Sequence, residues 1–270
     1  MTVGALAGLS EGDVIGRLRE AARGARGRFR TLFIITWVVL VGALVGMLWV
    51  TGNIKPDFIV SAGPYILGGA GTTVLITVVS IIFATILALL GAFGRLSRNP
   101  IVNGSASLYV SLVRGTPLLV QVFFVYLALP ELGIVLPVIL GGIVALAFNY
   151  GAYMTEVFRA GIQAVPRGQR EAAQALGMPE GLIMRRIVLP QALRIVTPAI
   201  GNDFISMIKD SSLVYVLGVP ELLFRASTLG RRELASLSAL IIAALIYWVL
   251  TMFFSFFQER LERRMARGDR

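Results

Sequence analysis

The stretch TVLITVVSIIFATILALLGAF, residues 73–93, contains 21 consecutive residues without a charged side chain. An α-helix needs about 20 such residues to cross the hydrocarbon core of a bilayer. A helix also satisfies its own backbone amides, which lipid cannot do. The stretch therefore predicts a transmembrane helix, and the alternating pattern of a membrane β-barrel is absent from the sequence.

Comparable apolar stretches recur along the chain, separated by polar segments. They predict an all-α, polytopic membrane bundle of about six transmembrane helices. The expected spans are 31–51, 66–93, 107–129, 134–155, 188–208 and 236–257.

The composition agrees with a membrane protein and excludes several classes of enzyme. Of the 270 residues, 56% are hydrophobic and only 15% are charged, whereas soluble domains carry about 25% charged residues. The chain has no Cys and no His, which excludes disulfides, thiolate nucleophiles, His-ligated metals and Ser-His pairs. It also lacks a GxxxxGK[ST] phosphate loop. We predict no catalytic residue, no metal site and no cofactor in this chain.

The net charge of +10 indicates an orientation. Eighteen basic residues fall in the segments 1–30, 94–106, 156–187 and 258–270, against four in the alternating external segments. Since Lys and Arg accumulate in cytoplasmic loops, both termini and the loop 156–187 are predicted to be cytoplasmic. The basic residues flank apolar spans and form no aromatic-and-basic stripe, so a nucleic-acid partner is not expected.

The organisation along the chain follows from these spans. Residues 1–30 are expected to form a cytoplasmic basic tail, either mobile or folded as a short amphipathic helix on an anionic leaflet. An additional N-terminal transmembrane helix and an exterior linker are expected over 31–65. A transmembrane domain follows over 66–262, and residues 263–270 form a second cytoplasmic tail.

The cytoplasmic loop contains EAAQALGMPEGLIMRRIVLP, residues 171–190, which does not resemble a plain connection. Its Ala, Gln, Glu and Leu residues favour a short helix. Gly177 can end that helix in a left-handed cap, and Pro179 suits the first position of a new one. The sequence therefore predicts a helix, a tight turn and a second helix over about 179–189 that leads into the fifth span at Pro190.

The slim, Ala-rich surface of the first helix leaves two interpretations open. In one, Leu176 or Met178 protrudes into a groove on another protein. In the other, the loop packs only on its own bundle. The physical properties of these residues favour the two interpretations equally.

A family resemblance narrows this choice. Residues 171–190 match the pattern EAA-x3-G-x9-I-x-LP without a gap. This resembles the signature loop of permease subunits in bacterial ABC importers. Three longer stretches, VRGTPLLVQVFFVY (113–126), NYGAYMTEVFRAGIQAVPRGQREAA (149–173) and KDSSLVYVLGVPEL (209–222), resemble the polar amino-acid branch, which includes histidine, glutamine, glutamate and arginine permeases.

The resemblance implies a set of partners. Permeases of this family dock on ATPase subunits that bind ATP and Mg²⁺, pair with a second permease subunit as homo- or heterodimers, and receive solute from an extracytoplasmic binding protein. The implied substrate is a polar amino acid, and the surroundings are membrane lipid. The branch usually has five spans, so the span at 31–51 departs from it. The residues that the resemblance assigns to coupling are Glu171, Ala172, Ala173, Leu176, Gly177, Met178, Leu189 and Pro190.

Polar residues inside the spans are candidates for the substrate path. A charged side chain in a span costs about 2.5–3.5 kcal/mol on insertion scales, so such groups line paths or pair with each other. Lys209 either meets a substrate carboxylate or pairs with a neighbouring aspartate. The candidate path residues are Gln121, Asn149, Tyr150, Asp203, Lys209 and Asp210.

Two further charged residues have alternative partners. Glu156 and Arg159 are three residues apart, which predicts an ion pair on one helix face. Glu171 pairs either with an Arg on the ATPase or with Arg167 or Arg170 of its own chain.

Three alternatives to a polar amino-acid permease follow from the sequence. One is an importer of another small solute, and another is a proton-coupled carrier, which would need an intramembrane relay of acidic residues that is not evident. The third is a membrane hydrolase whose Ser-Lys dyad joins Lys209 to Ser206 or Ser212.

Overall fold

A computed structural model of the protein describes residues 11–50 and 54–265. Within these ranges the regular secondary structure is helical, without a strand, which confirms the predicted all-α class. The chain divides into two compact units between Lys55 and Pro56.

The first unit consists of α1, Glu11–Val50, a single helix of 40 residues. Its segment Gly24–Met47 is long and apolar enough to cross a membrane. Over residues 11–30 the predicted tail is helical and continuous with the span, since no proline interrupts the helix and its Ala, Arg, Leu and Glu residues are good helix formers. The rest of that predicted tail, residues 1–10, lies outside the described residues.

The second unit begins with α2, Pro56–Leu67, and α3, Ala70–Leu96. The predicted exterior linker is therefore a helix from residue 56 onward. Pro56 suits the first helical position and Asp57 lies in the first turn, both favourable at a helix N-terminus. The apolar face of α2 is buried through Ala62 and Ile66, so tertiary packing outweighs the turn-forming residues that suggested a linker.

The third predicted span is broken. It consists of α4, Pro100–Arg114, followed after a break by α5, Leu118–Phe123, and α6, Leu129–Glu131. The two arms are bent by 105°. Pro117 stands at the N-cap of α5 with extended backbone, which stops the preceding helix and starts the next.

The remaining helices complete the bundle. A 3₁₀ segment, Ser211–Leu217, connects the fifth span to the next helix across a bend of 51°. The helices are α7 (Val138–Ala164), α8 (Arg167–Ala175), α9 (Glu180–Ile183), α10 (Leu189–Asp210), α11 (Leu222–Arg232) and α12 (Ser236–Met265).

Two π-helical turns, Phe124–Ala128 and Met184–Val188, share a sequence cause. Each is followed directly by a Leu-Pro pair, at 129–130 and 189–190. Proline has no amide hydrogen to continue the i→i−4 ladder, so one turn before it widens to i→i−5 bonding. The backbone amide of Leu189 accordingly donates to the carbonyl of Met184. Residues 180–210 thus form one continuous helical rod, as the sequence predicts for the passage into the fifth span.

The centre of the second unit is the contact between α3 and α7. Small residues allow the two backbones to approach closely. A Cβ atom added to Gly151 would lie 2.9 Å from the Cβ of Leu87. Close packing through small residues is the usual way in which membrane helices associate.

Four helical segments are long and apolar enough to cross a membrane, or six when each bent pair counts as one span, in the part of the chain that the structure describes. The predicted number of about six therefore holds when the bent pairs count as spans.

Candidate functional site

A cavity of about 310 Å³ lies beside the break between α4 and α5. Thr116, Pro117 and Leu118 border it at the break. The middle of α7 and the last two turns of α10 face it from the other sides. Their lining residues are Asn149, Tyr150, Tyr153, Asp203, Ser206 and Asp210.

Gln121 stabilises the helix break rather than lining the cavity. Its amide nitrogen donates to the carbonyl oxygens of Val113 at 2.8 Å and Thr116 at 3.2 Å. These carbonyls are among those that the interrupted helix leaves without their usual partners. Asn149 donates to the side-chain oxygen of Gln121 at 3.1 Å, which ties α7 to the break. Asn149 therefore lies between the cavity and Gln121, a candidate path residue that does not line the cavity itself.

Asp203 lines the cavity, but one of its carboxylate oxygens is enclosed by protein. Its Oδ2 is buried and accepts no hydrogen bond from any residue that the structure describes. A buried polar atom without a partner is costly, and such atoms are rare in folded proteins.

Asp210 has a partner, and it is not the predicted one. The hydroxyl of Tyr150 donates to Asp210 Oδ2 at 2.7 Å. The side chain of Lys209 is exposed and does not line the cavity. Neither of the predicted ion pairs of Lys209, with Asp203 or with Asp210, is present among the described salt bridges. The reason is helical geometry: Lys209 is adjacent in sequence to Asp210, so its side chain points about 100° away around α10.

Sequence reasoning missed Tyr153 and named Ser206 only as a candidate for a hydrolase dyad, although the spacing of both residues offered a signal for the cavity. Ser206 lies three residues after Asp203 and four before Asp210, and therefore on the same face of α10. Tyr153 follows Tyr150 by three residues in the same way. The guanidinium of Arg114 stacks over the ring of Tyr153 at 5.3 Å from its centroid.

The predicted coupling loop, residues 156–187, forms the predicted helix, turn and helix. Gly177 adopts a left-handed φ of +74° directly after α8. Its amide donates to the carbonyl of Gln174 at 2.9 Å, and the amide of Met178 donates to that of Ala173 at 3.1 Å. This is the Schellman pattern that the glycine predicts. The new helix starts at Glu180, with Pro179 one position earlier, at its N-cap.

The loop exposes some of its predicted coupling residues and buries others. Leu176 is 82% exposed at the tip of the turn. Met178, offered with it as a protruding side chain, packs instead against the core of its own chain, because its amide is tied back to α8. Ala172 and Pro190 are exposed, Leu189 is partly buried, and Ala173 is only 2% exposed.

Glu171 is exposed and takes part in no ion pair with a described residue, so the predicted pairing with Arg167 or Arg170 is not formed. Arg167 and Arg170 border a separate cavity of about 1090 Å³ that also reaches Arg98 in the α3–α4 turn. The turn after α3 and the coupling loop therefore share one end of the bundle.

Arg95, Glu156 and Arg159 form a charge cluster between α3 and α7. Glu156 accepts from Arg159 at 2.7 Å, the predicted pair, and also contacts Arg95 at 3.1 Å. Arg95 additionally donates to Ser107 on α4. The cluster joins α3, α4 and α7.

The dyad that a membrane hydrolase would need is not assembled. Ser206 lines the cavity, whereas the side chain of Lys209 is exposed. Among the described side-chain hydrogen bonds, none joins Lys209 to Ser206 or Ser212. The geometry therefore does not favour this alternative.

Comparison with known proteins gives consistent matches over most of the chain. Residues 80–267 match a family described as the inner membrane component of binding-protein-dependent transport systems. The L-cystine transport system permease protein TcyB of Bacillus subtilis is 40% identical over 205 residues, which cover 76% of this chain and 88% of that protein. The arginine transport system permease protein ArtQ of the same organism is 40% identical over 207 residues, covering 76% and 94%.

Solved transporter structures also match this chain. A crystal structure of an amino acid ABC transporter with histidines superposes with a TM-score of 0.73 at 36% identity, covering 78% of this chain and 99% of that one. An inward-facing structure of the MetNI methionine ABC transporter gives a TM-score of 0.63 at 19% identity, which shows a shared fold.

Proposed function

This chain belongs to the family of inner-membrane components of binding-protein-dependent transport systems, and from that premise we propose that it is the permease subunit through which a polar amino acid enters the cell. Relatives named for cystine and arginine transport support an amino acid as cargo. The observation that carries the proposal is the polar cavity at the broken helix. Cargo sites in transporters commonly lie where a transmembrane helix is interrupted.

The cavity has the properties of an amino-acid site. Its volume of about 310 Å³ lies at the lower end of the range for small-molecule sites, about 300–1,000 Å³. Amide, hydroxyl and carboxylate groups from α7 and α10 converge on it. These groups replace the hydrogen bonds that a zwitterion loses when it leaves water.

The second part of the proposal concerns where the ATPase docks on this chain. We place the docking site for the ATPase at the turn after α8, where Leu176 projects and Glu171 forms no ion pair with another described residue. ATP and Mg²⁺ are bound by the ATPase, and this chain contributes no catalytic residue. An apolar side chain beside an unpaired charge is suited to a helix-in-groove contact.

The helical rod over residues 180–210 links the two sites. It starts beside the coupling turn and carries Asp203 and Asp210 near its other end. A shift of the turn when the ATPase closes therefore moves two cavity residues with it. Because packed helices rearrange between discrete states, such a shift opens the cavity toward one side at a time.

The proposed assembly contains a second permease subunit, two ATPase subunits and an extracytoplasmic binding protein. The coupling loop and both termini face the cytoplasm, in agreement with the excess of basic residues in those segments.

Reconstitution tests the proposal. The permease, purified with its ATPase and supplied with the binding protein, is placed in liposomes with ATP at the ATPase side. We expect uptake of a radiolabelled polar amino acid that requires both ATP and the binding protein. Liposomes without the binding protein serve as the control. Absence of ATP-dependent uptake for every amino acid, with the ATPase active, would exclude the function.

A further inference from the structure

We propose that the cavity of about 1090 Å³ between the turn after α3 and the coupling loop binds the headgroup of an anionic phospholipid. An acyl chain of the same lipid lies along the exposed face of α3. The inference goes beyond amino-acid transport, because it assigns a lipid ligand to a second site. It rests on the proposed orientation, which places this end of the bundle at the inner leaflet.

The first observation is the charge around the cavity. Three arginines line it, Arg98 after α3 and Arg167 and Arg170 on α8, against one acidic residue, Glu180. None of the three arginines forms an ion pair with a described residue. Guanidinium groups that face one concave surface without an anionic partner favour an anionic ligand, and their fork of donors suits phosphate oxygens.

The second observation is the level of the cavity in the membrane. Leu96 is the last residue of α3, and Ile162 lies in the last turn of α7. Both line the cavity, and both helices are long and apolar enough to cross a membrane. The cavity therefore lies where two apolar spans end, which is the level of the lipid headgroups. Basic pockets at the cytoplasmic ends of transmembrane helices are suited to anionic headgroups.

The third observation is a strip of exposed apolar side chains on α3 that leads to the cavity. Its members follow one another at intervals of three or four residues and therefore share one face of the helix. They are Ile82, Ile86, Leu90 and Phe93. Phe93 stands three residues before Leu96, a lining residue. At 1.5 Å per residue the strip is about 17 Å long, close to the depth of one leaflet, about 15 Å.

The strip and the arginines together distinguish a phospholipid from a free anion. A free phosphate ion contacts the arginines alone, whereas a phospholipid also covers the apolar strip and gains from its burial. A bound headgroup joins the turn after α3 to α8 through Arg98 and Arg170. Leu176, at the proposed contact with the ATPase, does not line the cavity, so the lipid and the ATPase bind together.

Native mass spectrometry of the permease–ATPase complex in detergent measures the binding. The complex is titrated with phosphatidylglycerol or with phosphatidylcholine that carries the same acyl chains. We expect phosphatidylglycerol to bind at least about fivefold more tightly, because the choline cation faces the arginines. Equal binding of the two lipids would overturn the inference. Inorganic phosphate at matched ionic strength should not displace the bound lipid, and displacement would assign the cavity to a free anion instead.

Three variants locate the site. Arg98→Gln should weaken phosphatidylglycerol binding about fivefold, the factor for one arginine at an anionic membrane surface, with little change for phosphatidylcholine. Arg98→Lys keeps the charge and should retain most of the preference. Arg185→Gln is the control, because Arg185 is exposed and does not line the cavity, and it should change the binding of neither lipid.

Two results with these variants would also overturn the inference. An equal loss in Arg98→Gln and Arg185→Gln would show diffuse attraction of lipid to the surface rather than a site. The same spectra report whether the ATPase stays bound, and its loss from Arg98→Gln would assign the arginines to that partner. Uptake of an amino acid in liposomes is measured separately, so the failure of this inference is distinguishable from the failure of the proposed function.

Discussion

At the scale of single residues, Gly177 shapes the surface on which the account of energy coupling depends. Its φ of +74° is a left-handed conformation, which costs a residue with a side chain about 1–2 kcal/mol. The space around it is open, since a Cβ atom there would meet nothing within 4 Å. A substitution at Gly177 therefore acts through the backbone and not through a steric clash.

We expect Gly177→Asp to leave the chain inserted in the membrane and to separate ATP hydrolysis from uptake. The strain of about 1–2 kcal/mol tilts the turn and displaces Leu176 without unfolding the bundle. Uptake and ATPase activity are measured in the same liposomes, and uptake should fall while basal hydrolysis continues.

The matched control is Gly181→Asp. It introduces the same side chain, also into open space, four residues further on in a right-handed helix. If Gly177→Asp retains coupled uptake, or if both variants lose it equally, the left-handed backbone is not the cause.

Site residues were predictable where a polar side chain interrupts an apolar span. Asn149, Tyr150, Asp203 and Asp210 were found in this way, and all four line the cavity. The direction of a side chain was not predictable. Lys209 is as unusual in a span as Asp210, yet it points away from the cavity, and only the rotation of α10 decides this.

At the scale of elements, the side-chain amide of Gln121 bridges the two arms of the broken helix. Gln121 contacts Val113 and Thr116 across the break and is in turn held by Asn149. Pro117 predicted a bend from sequence, but the partner of the freed carbonyls was identifiable only in three dimensions.

We expect Gln121→Leu to destabilise the protein by about 0.5–1.5 kcal/mol for each hydrogen bond lost at this partly buried position. The measurement is the thermal unfolding midpoint in detergent, which should fall. Gln169→Leu is the control, because Gln169 is exposed and its side chain makes none of the described hydrogen bonds. An unchanged midpoint for Gln121→Leu would show that the break is held by other contacts.

Some elements were predictable from local sequence and others were not. The turn at Gly177 and the rod that passes through Pro190 follow from local rules for glycine and proline. The helix α2 does not, because TGNIKPDFIVSAGP (51–64) contains several turn-forming residues. Its stability derives from packing of Ala62 and Ile66 against distant residues such as Leu222 and Ala239.

At the scale of the whole molecule, the proposed coupling of ATP hydrolysis to transport depends on one helical rod and on its orientation in the membrane. The rod over residues 180–210 extends from the coupling turn to the cavity. It transmits force from an ATPase only if the turn lies on the cytoplasmic side. The side of the membrane on which the exposed Leu176 lies therefore decides whether the rod can be moved by an ATPase.

The most direct measurement uses the absence of native cysteines. Leu176→Cys and Val60→Cys, both at exposed positions, are treated with a membrane-impermeant maleimide in right-side-out and inside-out vesicles. We expect Cys at position 176 to react only in inside-out vesicles and to be protected when the ATPase rebinds, with position 60 reacting from the opposite side. Reaction of position 176 in right-side-out vesicles, or no protection by the ATPase, would contradict the account.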